Sequence, residues 1–157
     1  MALAYNFGFR RAELLNMKRR QVDLLDRIIR LEPGTTKNDD GRIVEMTEDV
    51  YRLLGECVRG KGPDDFVFTR ANGKPIRDFR GTWEMLCKDA GAEGLLLHDF
   101  RRSAVRNVVR LHVPEKVAMA ITGHKTRSPF DRYKYNIVSE FDVEDAAHKI
   151  DERRFGA

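Results

Sequence analysis

Within residues 98–133, two histidines, an arginine and a tyrosine stand in a set order: His98-Asp-Phe-Arg101, then Gly123-His124, then Tyr133 nine positions beyond His124. These residue types suit attack on a phosphodiester by a phenol. Such a reaction needs cations and hydrogen-bond donors around the non-bridging oxygens, where negative charge builds up, and a hydroxyl aimed in line at phosphorus. The same segment is basic: Arg101, Arg102, Arg106, Arg110, Lys116, Lys125, Arg127 and Arg132 face three acids, Asp99, Glu115 and Asp131, a balance of +5 against +4 for the whole chain. Such a strip suits a polyanionic partner, although charge alone would favour a solvated helix face.

Helices must carry these residues. Phe100, Ala104, Val105, Val108 and Leu111 recur at helical spacing, Pro114 can open a second helix, and Gly123 ends it. Upstream, Leu14, Leu15 and Met17 follow Arg10-Arg-Ala-Glu13 as a helix, then Val22-Asp-Leu-Leu, Arg27-Ile-Ile-Arg-Leu and Arg42-Ile-Val-Glu-Met read as three short antiparallel strands. The polar, turn-rich stretch from Pro33 to Gly41 predicts a mobile hairpin loop bearing Lys37. Thr47 reads as the N-cap of a helix through Leu54 to Val58, Phe66-Val-Phe as a short strand, and Trp83, Leu86 and Cys87 as part of a helix stopping near Gly91. A last helix carries Val143, Ala146, Ala147 and Ile150 at i, i+3, i+4 and i+7. The fold class is therefore α+β, mainly helical with a small three-stranded antiparallel sheet.

Leu97-His-Asp-Phe-Arg-Arg with the residues to Arg110, Val113 to Ser128 with Gly123-His124-Lys125-Thr-Arg127, and Phe130-Asp-Arg-Tyr133 resemble the C-terminal half of a tyrosine recombinase catalytic domain of the phage integrase family. Gly8-Phe-Arg10-Arg-Ala-Glu13 resembles that family's first-arginine motif, and Thr36-Lys37-Asn38 with Arg42-Ile-Val its lysine-bearing hairpin. The resemblance runs to about residue 140, with all motifs in the family's order.

The resemblance implies roles. Arg10 and Arg101 would clamp the scissile phosphate, since a guanidinium fork matches two oxygens and stays charged, and Glu13 would orient Arg10. Bare spacing reads Arg10 and Glu13 as a surface ion pair, and Arg11 is the rival for the first clamp. Lys37 would protonate the leaving 5′ oxygen, His98 would accept a proton or donate to the phosphate, His124 would donate to a non-bridging oxygen, and Tyr133 would be the nucleophile. Tyr135 competes, because Lys134-Tyr135 stands where relatives run from the tyrosine straight into Asn-Ile-Val. Arg102, Lys125 and Arg127 would contact flanking DNA. His112, His148, Cys57 and Cys87 match no motif.

The 157 residues suffice for one domain with a real core, 41% hydrophobic and 34% charged residues are ordinary for a globular protein, and no apolar run reaches bilayer length. Without a signal sequence, a cytoplasmic protein is expected. The expectation is a single domain over 1–157, N-terminally truncated, lacking the first helices of the catalytic domain and the separate core-binding domain that the family's members place before it. By resemblance, double-stranded DNA is the partner, self-association gives a dimer and a tetramer on DNA, and no metal or other cofactor is needed. Two other readings stay open: a recombinase remnant that binds DNA or protein without cleaving, and a generic basic helical interaction domain.

Overall fold

The computed structural model describes residues 1–32, 41–135 and 140–155. It opens with two short helices, α1 (Ala2–Phe7) and α2 (Arg11–Asn16), and a single 3₁₀ turn at Arg19–Gln21. A sheet follows, built from β1 (Val22–Asp23), β2 (Ile28–Leu31) and β3 (Arg42–Glu45). Among the described residues six helices follow: α3 (Glu48–Val58), α4 (Arg80–Asp89), α5 (Leu97–Arg110), α6 (Glu115–Thr122), α7 (Arg127–Tyr135) and α8 (Glu140–Phe155).

The sheet is antiparallel throughout in the order β1-β2-β3, with Val22 opposite Ile29 and Ile29 opposite Val44. That register puts three fully buried β-branched side chains in one row against the helices. Helix α3 turns Val50, Leu54 and Val58 inward at intervals of four, and its first turn holds Glu48 and Asp49, where carboxylates suit the helix dipole. Thr47 occupies the N-cap position with extended backbone, but its hydroxyl makes no capping bond. Phe66-Val-Phe is not a strand: Phe66 forms only an isolated bridge to Lys18, while Val67 donates its N–H to the carbonyl of Met17. With no further partner strand beside it among the described residues, the segment stays a strap over the core.

The described residues form two apolar clusters. The larger joins α1, α2, the sheet and α3 through residues such as Leu3, Phe9, Met17, Ile29 and Leu54. A smaller one joins Val105 and Val108 of α5, Ala118 of α6 and Phe130 of α7, with Tyr133 packed against it. Helix α5 bridges the two, since α1 lies along it with Tyr5 edge-on to Phe100 at 6.0 Å. Helix α8 forms as expected, yet Val143 and Ile150 are more than half exposed. Among the described residues no helix is long and apolar enough to cross a membrane.

Candidate active site

Gly8 starts the site. It ends α1 in the left-handed region at φ 67°, and a Cβ there would lie 3.3 Å from Arg101 Cγ, so glycine lets the chain pass directly over α5. Its carbonyl accepts from Arg101 Nη1. Two residues on, Arg10 enters α2 with extended backbone, donating from its N–H to Glu13 Oε2 (2.8 Å) and from Nη1 to Oε1 (2.9 Å). Glu13 is thereby held at the first turn of α2, with its side chain 1% exposed.

A carboxylate so deeply buried needs counter-charge on every side. The second guanidinium is that of Arg42 in β3, which donates from Nη1 and Nη2 to the two Glu13 oxygens at 3.1 and 2.9 Å. Burial alone would raise the Glu13 pKa, but Arg42 and the Arg10 contacts outweigh it and hold the carboxyl below its ordinary value. Arg42 was not among the residues singled out as a site candidate. The signal for it was strand alternation: Val44 points inward, so Arg42, two residues earlier, shares that face and requires an acid there.

Gly123 closes the knot from the other end of the sequence. It stops α6 at φ 66°, and its carbonyl accepts from Arg10 Nη2 (3.0 Å) and Arg101 Nη2 (3.3 Å). One carbonyl and one carboxylate therefore gather three guanidiniums. Arg101 is 3% exposed, and burial, followed by repulsion from Arg10 and Arg42, lowers its pKa to about 10. It remains charged at neutral pH.

His98 lies one turn before Arg101 on α5 and is exposed, with Nε2 2.7 Å from the Tyr133 hydroxyl. Partial burial, then Arg101 and Arg102, lowers its pKa, favouring the neutral ring that can accept a proton. His124 follows Gly123, with Nδ1 2.7 Å from Thr122 Oγ1 and Nε2 3.3 Å from Arg101 Nη2. Burial first, and then Arg101, Arg10 and Arg42, push it down to about 3. The two imidazoles flank Tyr133 edge-on at centroid separations of 5.8 Å (His98) and 5.5 Å (His124). Phe130, fully buried one turn earlier on α7, packs against His124 at 5.7 Å and anchors the helix that presents the phenol.

Of the expected site residues, Arg10, Glu13, His98, Arg101, His124 and Tyr133 thus converge. Arg102 sits at their edge, paired with Asp99 at 2.9 Å and with its Cζ 5.9 Å from the Tyr133 ring centroid. Lys125 is exposed just beyond His124, and Arg127 turns to Glu115 of α6, donating at 2.7 Å. Lys37 and most of the expected hairpin loop lie outside the described residues, as does the side chain of Tyr135. Arg11, the rival first arginine, points to Asp78 and the Arg77 carbonyl instead of Glu13. His112 pairs with Lys149 at 2.9 Å, and both cysteines are free thiols. The convergent set offers a phenol beside an uncharged base, with fixed cations behind it.

Comparison with known proteins gives this arrangement a context. A family model described as the phage integrase family matches residues 1–138. The integrase of Salmonella phage P22 is 23% identical over 143 residues, covering 84% of this chain and 37% of that protein. A tyrosine recombinase of Thermosipho africanus is 27% identical over 154 residues, covering 96% of this chain and 52% of that one. The chain thus spans about half or less of the length of these curated relatives. Among solved structures, XerA recombinase superposes with TM-score 0.73 at 24% identity, covering 94% of this chain and 55% of its own. The catalytic domain of bacteriophage HP1 integrase superposes with TM-score 0.63 at 19% identity, covering 99% and 82%.

Proposed function

The chain belongs to the phage integrase family, and from that premise we propose that it is the catalytic part of a site-specific DNA recombinase in which Tyr133 is the nucleophile. The phenol oxygen attacks phosphorus, the bond from phosphorus to the 5′ oxygen breaks, and the strand is left as a 3′-phosphotyrosine with a free 5′-hydroxyl. Attack by the 5′-hydroxyl of a partner strand reverses the step and restores the tyrosine. The phosphoester is conserved, so no nucleotide energy source enters.

His98 takes the phenolic proton as the bond to phosphorus forms. Arg10 and Arg101 hold the non-bridging oxygens, releasing the Gly123 carbonyl as phosphate replaces it, and His124 adds a donor to one of them. Lys37 protonates the departing 5′ oxygen. Glu13, buried between Arg10 and Arg42, fixes the clamp, and Arg102, Lys125 and Arg127 meet neighbouring phosphates. The partner is double-stranded DNA and the working compartment the cytoplasm. Copies of the chain associate on DNA through the half-exposed apolar residues of α8.

The observation that most supports this reading is the 2.7 Å contact from Tyr133 to His98, beside His124 and the two guanidiniums that share the Gly123 carbonyl. The test is covalent trapping on a pool of nicked suicide duplexes with randomised core sequence. A denaturation-resistant adduct is expected, lost in Tyr133→Phe and retained in Tyr135→Phe. The reverse pattern moves the nucleophile to Tyr135. DNA binding without any adduct would instead favour a remnant that binds and does not cut.

A further inference from the structure

The hydroxyl of Thr122 stands beneath His124 with 0% of the residue exposed. Its oxygen is 2.7 Å from the Ala118 carbonyl and 2.7 Å from His124 Nδ1. At the far side of the ring, Nε2 faces Arg101 Nη2 at 3.3 Å. A guanidinium has only hydrogens to offer, so Nε2 must present its lone pair; an Nε2–H would set two donors against each other. The proton of the neutral ring then sits on Nδ1 and needs an acceptor. Thr122 Oγ1 is the atom within reach, and its single hydrogen goes to Ala118. The four groups form a chain with one direction, from Arg101 through His124 and Thr122 to a helix carbonyl.

We propose that Thr122 is a positioning residue that sets the tautomer of His124, holding it as an acceptor for Arg101 in the free protein and reversing when a phosphodiester enters. The second half rests on the strand-transfer reading. For His124 to donate to a phosphate oxygen as a neutral ring, the proton must move to Nε2, and Nδ1 then needs a donor. Thr122 supplies it by rotating its hydroxyl away from Ala118, whose carbonyl keeps its place in the backbone ladder of α6. A hydroxyl can serve both states because it both donates and accepts. A carbonyl at that place could support only the first state, and an apolar side chain neither.

Nitrogen-15 NMR of the histidine-labelled full chain at neutral pH reads the tautomer directly. The wild-type protein is expected to show His124 with a protonated, pyrrole-like Nδ1 and an unprotonated, pyridine-like Nε2, a result that needs no variant to fold. Thr122→Ser should keep this pattern. Thr122→Val, close in shape but without the hydroxyl, should move proton density to Nε2 and lower the rate of suicide-substrate cleavage about tenfold, the worth of one hydrogen bond, while Thr122→Ser restores it. A wild-type ring protonated at Nε2, or a Thr122→Val spectrum identical to wild type, overturns the proposal. The spectrum is independent of cleavage: the expected tautomer in a protein that never forms an adduct would uphold Thr122 as the group that sets the free ring and would sink strand transfer alone.

Discussion

Gly123→Ala tests the knot of guanidiniums directly. Residue 123 has φ 66°, and a Cβ built there lies 2.9 Å from Arg42 Cζ and closer still to Nη1. Two costs add. A left-handed conformation with a side chain costs about 1–2 kcal/mol, and the methyl group displaces a guanidinium that is held by both oxygens of a carboxylate with a 1% exposed side chain. Breaking a buried pair by removing one partner costs about 3–5 kcal/mol; Arg10 stays on Glu13, so the lower figure applies. The sum is about 4–5 kcal/mol, a large share of the roughly 5–15 kcal/mol that holds a domain together.

Urea unfolding should therefore show a midpoint lower by about 2 M with unchanged slope, taking a slope of about 2 kcal/mol/M. The decisive comparison is a double-mutant cycle. In an Arg42→Ala background the methyl group meets no guanidinium, so Gly123→Ala should cost only its backbone strain of about 1–2 kcal/mol, leaving a coupling of about 3 kcal/mol. A loss below about 1 kcal/mol in the wild-type background, or an equal loss in both backgrounds, would refute the view that Arg42 is locked beneath Gly123.

His124 makes stability depend on pH in a definite direction. Its pKa falls from 6.5 to about 3 on folding, so between those values the unfolded chain binds a proton that the folded one does not, and stability is lost as pH falls below about 6.5. The slope is at most about 1.4 kcal/mol per pH unit, reduced by the ring's remaining contact with solvent, and should flatten in His124→Gln; equal slopes in urea titrations from pH 7 to 4.5 would remove the basis for a neutral His124. Arg10→Ala should reduce adduct formation by roughly 100-fold or more, whereas Arg11→Ala, which loses exposed contacts to Asp78 and the Arg77 carbonyl away from the clamp, should change it little; similar losses in quenched-flow assays would undo the assignment of the first arginine. Truncation after Ser139 should shift sedimentation toward monomer if the exposed apolar residues of α8 mediate association, and an unchanged profile of the full chain and the truncation would dismiss that role.

The helices around the site were legible because their periodicity and their punctuation agree. Gly123 ends α6 at positive φ as expected, and Val50, Leu54 and Val58 mark one face of α3 as inward, whereas α1, which Gly8 ends, went unread because its six residues are too few to show a period. The strand expected at Phe66 failed for a reason outside any local window: a β-rich run becomes a strand only where a neighbour supplies a ladder, and there only Lys18 does. The exposed face of α8 shows a related limit. Spacing at i, i+3, i+4 and i+7 tells which residues share a side of a helix, and says nothing about whether the partner for that side lies in the same molecule.

In the site, sequence reasoning put Glu13 beside Arg10, where the structure has it, but passed over Arg42 and Thr122. Histidine, tyrosine and the arginine of a recognisable motif announce themselves, whereas Arg42 looked like the polar start of a strand and Thr122 like an ordinary helix residue. Arg42 meets Glu13 across 29 positions, a contact no local window contains, while Thr122 meets Ala118 and His124, which lie four and two positions away and gain meaning only from the geometry of the helix end. The physical demand was nonetheless readable in part: Arg42 shares a face of β3 with the buried Val44, and a charge on that face is costly without an opposite one. The opposite charge is Glu13, and the pair ties the sheet to the helix that Arg10 caps.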